Sequence, residues 1–279
     1  MNIHCAVKRC VTFGHYRLIV SDACKINYST SNKRATVDDG EIERLSSLVW
    51  WGPQSPCYPL RSFNTIRVPF IMDGLGGNSS DKKTINPFAN KKLLEVGSGG
   101  GILAEALAAK GADIIGLEPG QELVDVAQNH CDTNPDIADN KPKYVCTTIE
   151  EHSEQYPGYY DAVVASEVIE HVLNQELFVE CCIRALKPGG RIFFTTQSKT
   201  FLAWFHHIFV FESVIKLVPK GTHEYDKFIT PKTLTGILER HNCRVELVRG
   251  MMYYPWSDKW KWIRYSHAYY ALQAIKLNN

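Results

Sequence analysis

The sequence predicts a doubly wound α/β domain with a mostly parallel sheet and an antiparallel C-terminal edge strand. Three observations predict it. From Lys91 onward, short apolar runs alternate with helical patterns. A glycine-rich turn, "GSGGG", joins the first of those runs to the first of those helices. The last part of the chain changes grammar, with two strand-like stretches, "RVELVRGMMYY" and "SHAYYALQAIK", that suit an antiparallel pair at a sheet edge.

The elements follow in order. Residues 1–36 carry six Lys/Arg against one acid, Asp22, are rich in Ser, Thr and Asn, and hold no long apolar stretch. That is the composition of an organelle transit peptide more than of a secretory signal; the alternative is a basic disordered tail. Residues 37–51 predict a helix, acidic at its start, with Ile42, Leu45, Leu48 and Val49 at helical spacing. Pro53, Pro56 and Pro59 predict a loop over 52–62. "FNTIRVPFIMDGL" predicts a short helix interrupted or begun near Pro69, and "GGNSSDKKTINPFAN" a loop.

"KLLEVG" is a buried strand, "GGGILAEALAAKG" a turn and a helix stopping at Gly111, "ADIIGLEP" a second strand, and "GQELVDVAQNHC" a second helix. "KYVCTTIEE" and "YDAVVASE" are the third and fourth strands, "EVIEHV" and "QELFVECCIRAL" helical, and "KPGGRIFFTTQ" a turn and fifth strand. "TPKTLTGILERHN" is a late helix. Ligands of such sheets sit at the C-terminal ends of the strands, near the switch in strand order.

Composition excludes several classes. With 44% apolar residues the 279-residue chain can bury a full core, and a net charge of +1 makes no case for nucleic acid. No run of 18 uncharged apolar residues occurs. The nine cysteines are irregularly spaced with no CxxC, which fits reduced thiols better than a disulfide framework or a zinc finger.

Two motifs carry chemistry. In "LLEVGSGGG", Gly97, Gly99 and Gly101 follow Glu95 in an acid-x-Gly-x-Gly-x-Gly pattern. A dinucleotide fingerprint needs glycine at position 102, which is Ile102, and this disfavours a nicotinamide oxidoreductase. The pattern resembles the S-adenosylmethionine loop of Rossmann-like, class I methyltransferases. Glu118, at the end of the second strand, is placed to accept both hydroxyls of a ribose.

The second motif is "SEVIEHV". On a helix, Glu167, Glu170 and His171 would share one face. Three readings stand: a metal site; a general base at His171 oriented by a carboxylate; or an acidic first helical turn with His171 packed.

The run from about Glu41 to Ile275 resembles one family. The glycine loop, "SEVIEHV", "LKPGGRIFFTT" and above all "LVPKGTHEYDKFITP" look like the O-methyltransferases of ubiquinone biosynthesis, bacterial and mitochondrial. "WWGPQSPCYPL" before "NTIRVPFI" is similar to their N-terminal segment, although the family's Asp after the paired Trp is Gly52 here. The resemblance implies methylation of phenol oxygens on polyprenylated ubiquinone precursors, a dihydroxybenzoate-type acid and a demethylubiquinol. It also implies a mitochondrial address on the matrix face of the inner membrane, and partners in a multi-protein complex.

Cofactor contacts carried over are Arg67, Gly97, Glu118 and Ser166, with Glu118 standing where Asp is usual and Ser166 where Met often stands. The resemblance to the mitochondrial branch implies a divalent metal at Glu167, Glu170 and His171, with Mg²⁺ favoured over Mn²⁺ and Zn²⁺. His223 in "KGTHEYDKF" either faces the substrate or caps a loop.

The aromatic stretch "FLAWFHHIFVFESVIKLVPKG", within an insertion at about 199–228, suits a lid or a helix lying peripherally in a membrane interface; the alternative is a buried insertion. "YYPWSDKWKWIRYSHAYY" either lines a ring pocket or completes the sheet edge. Other functions that remain open are methylation of a different small catechol and a non-catalytic lipid-binding scaffold.

Overall fold

The computed structural model describes residues 34–76, 88–198 and 228–278. His223, nearly all of the predicted insertion and the predicted transit segment up to residue 33 lie outside the described residues.

Eight strands form one sheet in the order β3-β2-β1-β4-β5-β8-β6-β7. β1 (Lys92–Val96), β2 (Asp113–Glu118), β3 (Lys143–Cys146), β4 (Tyr160–Ser166) and β5 (Leu186–Gln197) run parallel. β6 (Cys243–Tyr254), β7 (Lys259–Ile263) and β8 (Tyr269–Lys276) add antiparallel. The predicted antiparallel edge is thus three strands, with β8 inserted between β5 and β6 and β7 outermost.

The parallel strands read as unbroken apolar runs because both faces are covered. Val163, Phe194 and Leu272 pack on one side with α6 (Gln175–Ala185) and α7 (Pro231–Arg240). Leu93, Val164 and Phe193 pack on the other with α2 (Tyr58–Gly74) and α3 (Ile102–Ala108). α1 (Asp39–Ser46), α4 (Gln121–Thr133) and α5 (Ile149–Gln155) complete the described helices. Asp38, Thr148, Asn174 and Thr230 cap α1, α5, α6 and α7 through their side-chain oxygens.

Four expectations change. The helix expected over 37–51 is the shorter α1, Asp39–Ser46, and Leu48 and Val49 lie beyond it, where Val49 O and Trp50 O accept from Ser55 Oγ instead of from a helical N–H. α2 starts at Tyr58, inside the expected proline loop, and runs through Pro69 without interruption. Pro59 occupies the first turn, where a missing N–H costs nothing, and buried Phe63, Phe70 and Ile71 hold the helix across Pro69. β3 ends at Cys146, and "IEE" opens α5 behind its Thr148 cap. "EVIEHV" is no α-helix: Glu167 sits at φ 56°, and only Ile169–His171 make one 3₁₀ turn. Ser166 ends a strand with its backbone still paired to β5, and a left-handed residue is what turns the chain there.

None of the six described cysteines is in a disulfide. Among the described residues no helix is long and apolar enough to cross a membrane.

Candidate active site

The cavity opens where strand order switches between β1 and β4, has a volume of about 290 Å³, and is lined from all sides of that switch. Its floor is the glycine turn. Gly97 N and Ser98 N both donate to Leu117 O, at 2.8 and 2.9 Å, which bends the chain off β1. Gly97, Gly99 and Gly101 take φ of 72, 50 and 86°, a region costly for any residue with a Cβ.

Trp50 and Trp51 hold this turn from outside. A Cβ on Gly100 would stand 2.7 Å from the Trp50 ring, and one on Gly99 would collide with it. Trp51 Nε1 donates to Gly100 O at 2.8 Å. Its ring stacks on His130 at 3.4 Å and 3°, and His130 Nδ1 is 2.8 Å from buried Glu105 on α3.

Two buried acids flank the turn. Glu118 accepts from Gly99 N at 3.0 Å and from Gly120 N at 3.1 Å. Burial pushes its pKa up to about 7 against those two bonds. Each carboxylate oxygen keeps a second lone pair for a ligand hydroxyl. Burial pushes Glu95 up to about 8, partly opposed by Arg67. Glu95 Oε2 and Ser98 Oγ are buried without a hydrogen-bond partner.

Arg67 crosses from α2 into the sheet. It is 3% exposed and donates to Asn64 Oδ1 from Nε and Nη2, to Leu60 O, and from Nη1 to Ser166 Oγ at 2.8 Å. Burial pulls its pKa down to about 10, so it stays charged at neutral pH. Ser166 Oγ lies 2.6 Å from Thr195 Oγ1, and Thr195 in turn hydrogen-bonds Glu167. With Arg67 donating to Ser166, Ser166 donates to Thr195 and Thr195 to Glu167, so the chain of hydrogen bonds ends on a carboxylate.

Glu170 lies across from it, taking a 2.8 Å hydrogen bond from Thr196 Oγ1. Burial pushes both acids up, and Glu170 is pushed further by the charge of Glu167. Glu167 Oε1 and Glu170 Oε1 are both buried and unpartnered. His171 turns away from this pair: its Nδ1 stands 2.9 Å from Glu41 Oε2 on α1. Burial would raise Glu41, but bonds from His171 and Arg44 hold it down to about 2, so Glu41 is ionised at neutral pH.

α1 and the residues before it roof the cavity. Thr36 N donates to Glu150 Oε1 at 2.8 Å, Leu173 N donates to Thr36 O, and Asp38, Ile42 and Leu45 line the space beneath.

The structure thus brings together Arg67, Gly97, Gly99, Glu118, Ser166, Glu167, Glu170 and His171 around one cavity. Gly101 caps α3 behind it against Tyr144. The shared helical face predicted for Glu167, Glu170 and His171 does not exist, and among the described residues no three His, Cys, Asp or Glu side chains converge as metal ligands. The two unpartnered carboxylate oxygens do suit a hard divalent ion, without His171. Glu41, Thr36, Glu150 and Gln197 were not singled out; they come from segments remote in sequence, and only a fold unites them.

The glycine-rich turn, the carboxylate at the end of β2 and the unpartnered Glu95 oxygen fit a cofactor with an amino-acid part and a ribose. Comparison with known proteins agrees. Residues 80–248 match a family described as a methyltransferase domain. The mitochondrial ubiquinone biosynthesis O-methyltransferase of Homo sapiens is 40% identical, over 96% of this chain and 75% of its own. The ubiquinone biosynthesis O-methyltransferase of Photorhabdus laumondii is 36% identical, over 84% and 92%.

Among solved structures, the magnesium protoporphyrin IX methyltransferase of Synechocystis with bound SAH has TM-score 0.53 at 16% identity, over 85% of this chain and 93% of that one. A SAM-dependent methyltransferase of Archaeoglobus fulgidus has TM-score 0.54 at 16% identity, over 77% and 94%. Those two speak for the fold alone. The chain belongs to the ubiquinone biosynthesis O-methyltransferase family and is an S-adenosylmethionine-dependent methyltransferase.

Proposed function

We propose that the chain methylates a phenolic oxygen of a polyprenylated ring in ubiquinone biosynthesis, a dihydroxybenzoate-type acid or a demethylubiquinol. The observation that carries this reading is the Glu167–Glu170 pair, two buried carboxylates with an unpartnered oxygen each, in the same cavity as the glycine turn.

A phenol has a pKa of about 10, and displacement at a sulfonium methyl needs it as phenolate. S-adenosylmethionine supplies that methyl when bound. Arg67, through Ser166 and Thr195, fixes Glu167, and the unpartnered oxygens of Glu167 and Glu170 are the acceptors in the cavity for the hydroxyl's hydrogen bond. The roof of α1 and Trp50 excludes water.

Glu167 and Glu170 would also hold a divalent ion, whose chemistry is to lower the hydroxyl's pKa. An all-oxygen pair favours Mg²⁺ over Zn²⁺. A second reading rests on the Glu41–His171 contact: an imidazole oriented by a carboxylate through Nδ1–H is a general base.

The test is methyl transfer from labelled S-adenosylmethionine to a short-tailed prenyl catechol, with EDTA and then with Mg²⁺, Mn²⁺ or Zn²⁺ restored. Loss with EDTA and rescue by one metal supports the ion, and Glu170→Ala is then inactive at every pH. Turnover unchanged by EDTA removes the ion and moves the question to His171 through the pH–rate profile. No turnover on any phenol removes the reading.

The mitochondrial relatives and the basic, acid-poor first 36 residues support mitochondrial import. We further place the enzyme on the matrix face of the inner membrane, peripherally bound and working beside other pathway proteins, because a long isoprenoid tail partitions poorly into water. Phe205→Glu with Phe209→Glu should weaken liposome binding; unchanged binding removes this docking mode.

A further inference from the structure

Gln197 is the last residue of β5, is 2% exposed, and lines the cavity with an Oε1 that has no hydrogen-bond partner. Alternation along β5 puts Thr196 against Glu170, and Gln197 on the opposite face with Thr195 and Phe193. Its antiparallel neighbour on β8 is Tyr269.

Tyr269 meets Trp260 edge-on at 5.1 Å, and Trp260 lies 5.1 Å from Tyr253 and 4.3 Å from Phe63. The polar tips of this wall are turned to the protein: Trp260 Nε1 donates to Pro59 O, and Tyr253 Oη donates to Asp258, which also accepts from Ser62. Tyr253, Trp260 and Tyr269 all line the cavity with Gln197, Glu167 and Glu170. The ribose end, at Glu118 and Thr147–Glu150, belongs to β2, β3 and α5 on the far side of the sheet switch.

We propose that this end of the cavity is the acceptor-ring subsite, with the aromatic wall taking the ring and Gln197 Oε1 accepting a hydrogen bond from the ring hydroxyl next to the one that is methylated. This rests on the O-methylation reading and deepens it by naming Gln197 as the residue that tells a diphenol from a monophenol. Aromatic side chains present flat apolar surface to a flat ring. A buried amide oxygen left without a donor penalises a ring that lacks the second hydroxyl. One hydroxyl then faces Glu167, which Thr195 holds from the same face of β5, and its neighbour faces Gln197. A ring whose second oxygen is already a methyl ether has no proton to give Gln197 and should be a poor acceptor.

The experiment compares kcat/KM for a short-tailed prenyl catechol with that for the monophenol lacking the second hydroxyl, in wild type, Gln197→Met and Gln197→Leu. Thermal unfolding and S-adenosylmethionine affinity are measured alongside as the readouts a packing defect would move. Wild type should prefer the catechol by about 10- to 100-fold, the cost of leaving one buried acceptor unpaired. Both variants should bring that ratio toward one through loss on the catechol. Trp260→Leu should raise KM for both acceptors, and Trp260→Phe should recover most of it.

A catechol preference that survives in either folded Gln197 variant overturns the assignment of Gln197, and an acceptor KM unmoved by Trp260→Leu overturns the subsite. Wild-type turnover on neither phenol overturns the O-methylation reading and this subsite with it, an outcome distinct from turnover without discrimination.

Discussion

Glu41 on α1 and His171 at the end of the β4 turn meet at 2.9 Å over the mouth of the cavity. They join the roof to the catalytic floor, and Arg44 braces Glu41 from the same helix. With Thr36 bonded to Glu150, the roof is fastened at two points, before α1 and in its first turn. These contacts hold α1 over the cavity, so loosening them should ease exit of a cofactor. Glu41→Ala should therefore speed release of S-adenosylhomocysteine about tenfold, the equivalent of one charged hydrogen bond. Stopped-flow release measures this; an unchanged rate would show that α1 does not gate the site.

Gly99 and Trp50 make a paired prediction. Gly99→Ala places a methyl group in the Trp50 ring at φ 50° and should abolish cofactor binding. Adding Trp50→Ala removes the collision but not the backbone strain, so binding should return in part. Gly158→Ala, at φ 60° with nothing near its Cβ, carries strain alone and should cost about 1–2 kcal/mol of stability with no loss of affinity. Calorimetric titration of all three separates collision from strain; no recovery in the double variant would deny the clamp.

Arg67 and Ser166 test the relay. Ser166→Ala leaves Arg67 Nη1 without its acceptor in a nearly dry site and frees Thr195 from its neighbour. The expected cost is about 1–3 kcal/mol, with Tm falling about 2–4 °C for each kcal/mol. Ser166→Thr retains the hydroxyl and should retain most of the stability. Equal Tm for Ser166→Ala and wild type would sink the relay.

The parallel half of the fold was legible because buried strands such as "KLLEV" and "DAVVAS" leave no polar face, and because Gly97–Gly101 can only be a tight turn. What was hidden depended on partners far along the chain. Pro69 reads locally as a breaker, yet α2 continues because Phe63, Phe70 and Ile71 are locked in the core. Trp51 gave no local sign that it would clasp Gly100 and stack on His130.

"SEVIEH" spaced its acids for a helix, but the φ of 56° at Glu167 sends Glu167 and Glu170 to different neighbours on β5 and His171 to α1. One signal was present and missed: Thr148 followed by Glu151 is a capping pattern that marks the start of α5.

Glu95, Glu118, Glu167 and Glu170 together set a pH dependence whose sign follows from burial. All four are raised, Glu95 to about 8 and Glu118 to about 7, from an unfolded value of 4.5. Between those values the folded protein binds more protons than the unfolded chain, so the ligand-free protein loses stability as pH rises through 5 to 8. The slope is at most about 1.4 kcal/mol per pH unit for each proton of difference. Glu41 does not contribute to this slope: its pKa is held down to about 2, so its stabilisation is constant above about 4.5 and is lost only as pH falls toward 2.

Glu95→Gln cannot ionise and should flatten the curve, gaining on wild type most above pH 8. Hydroxyls donated to Glu118 favour its ionised form, so cofactor binding should tighten as pH rises toward 7 and take up the loss. Thermal unfolding from pH 5.5 to 8.5, with and without S-adenosylhomocysteine, measures both trends. Parallel curves for Glu95→Gln and wild type would mean that the Glu95 carboxyl keeps an ordinary pKa in the folded protein.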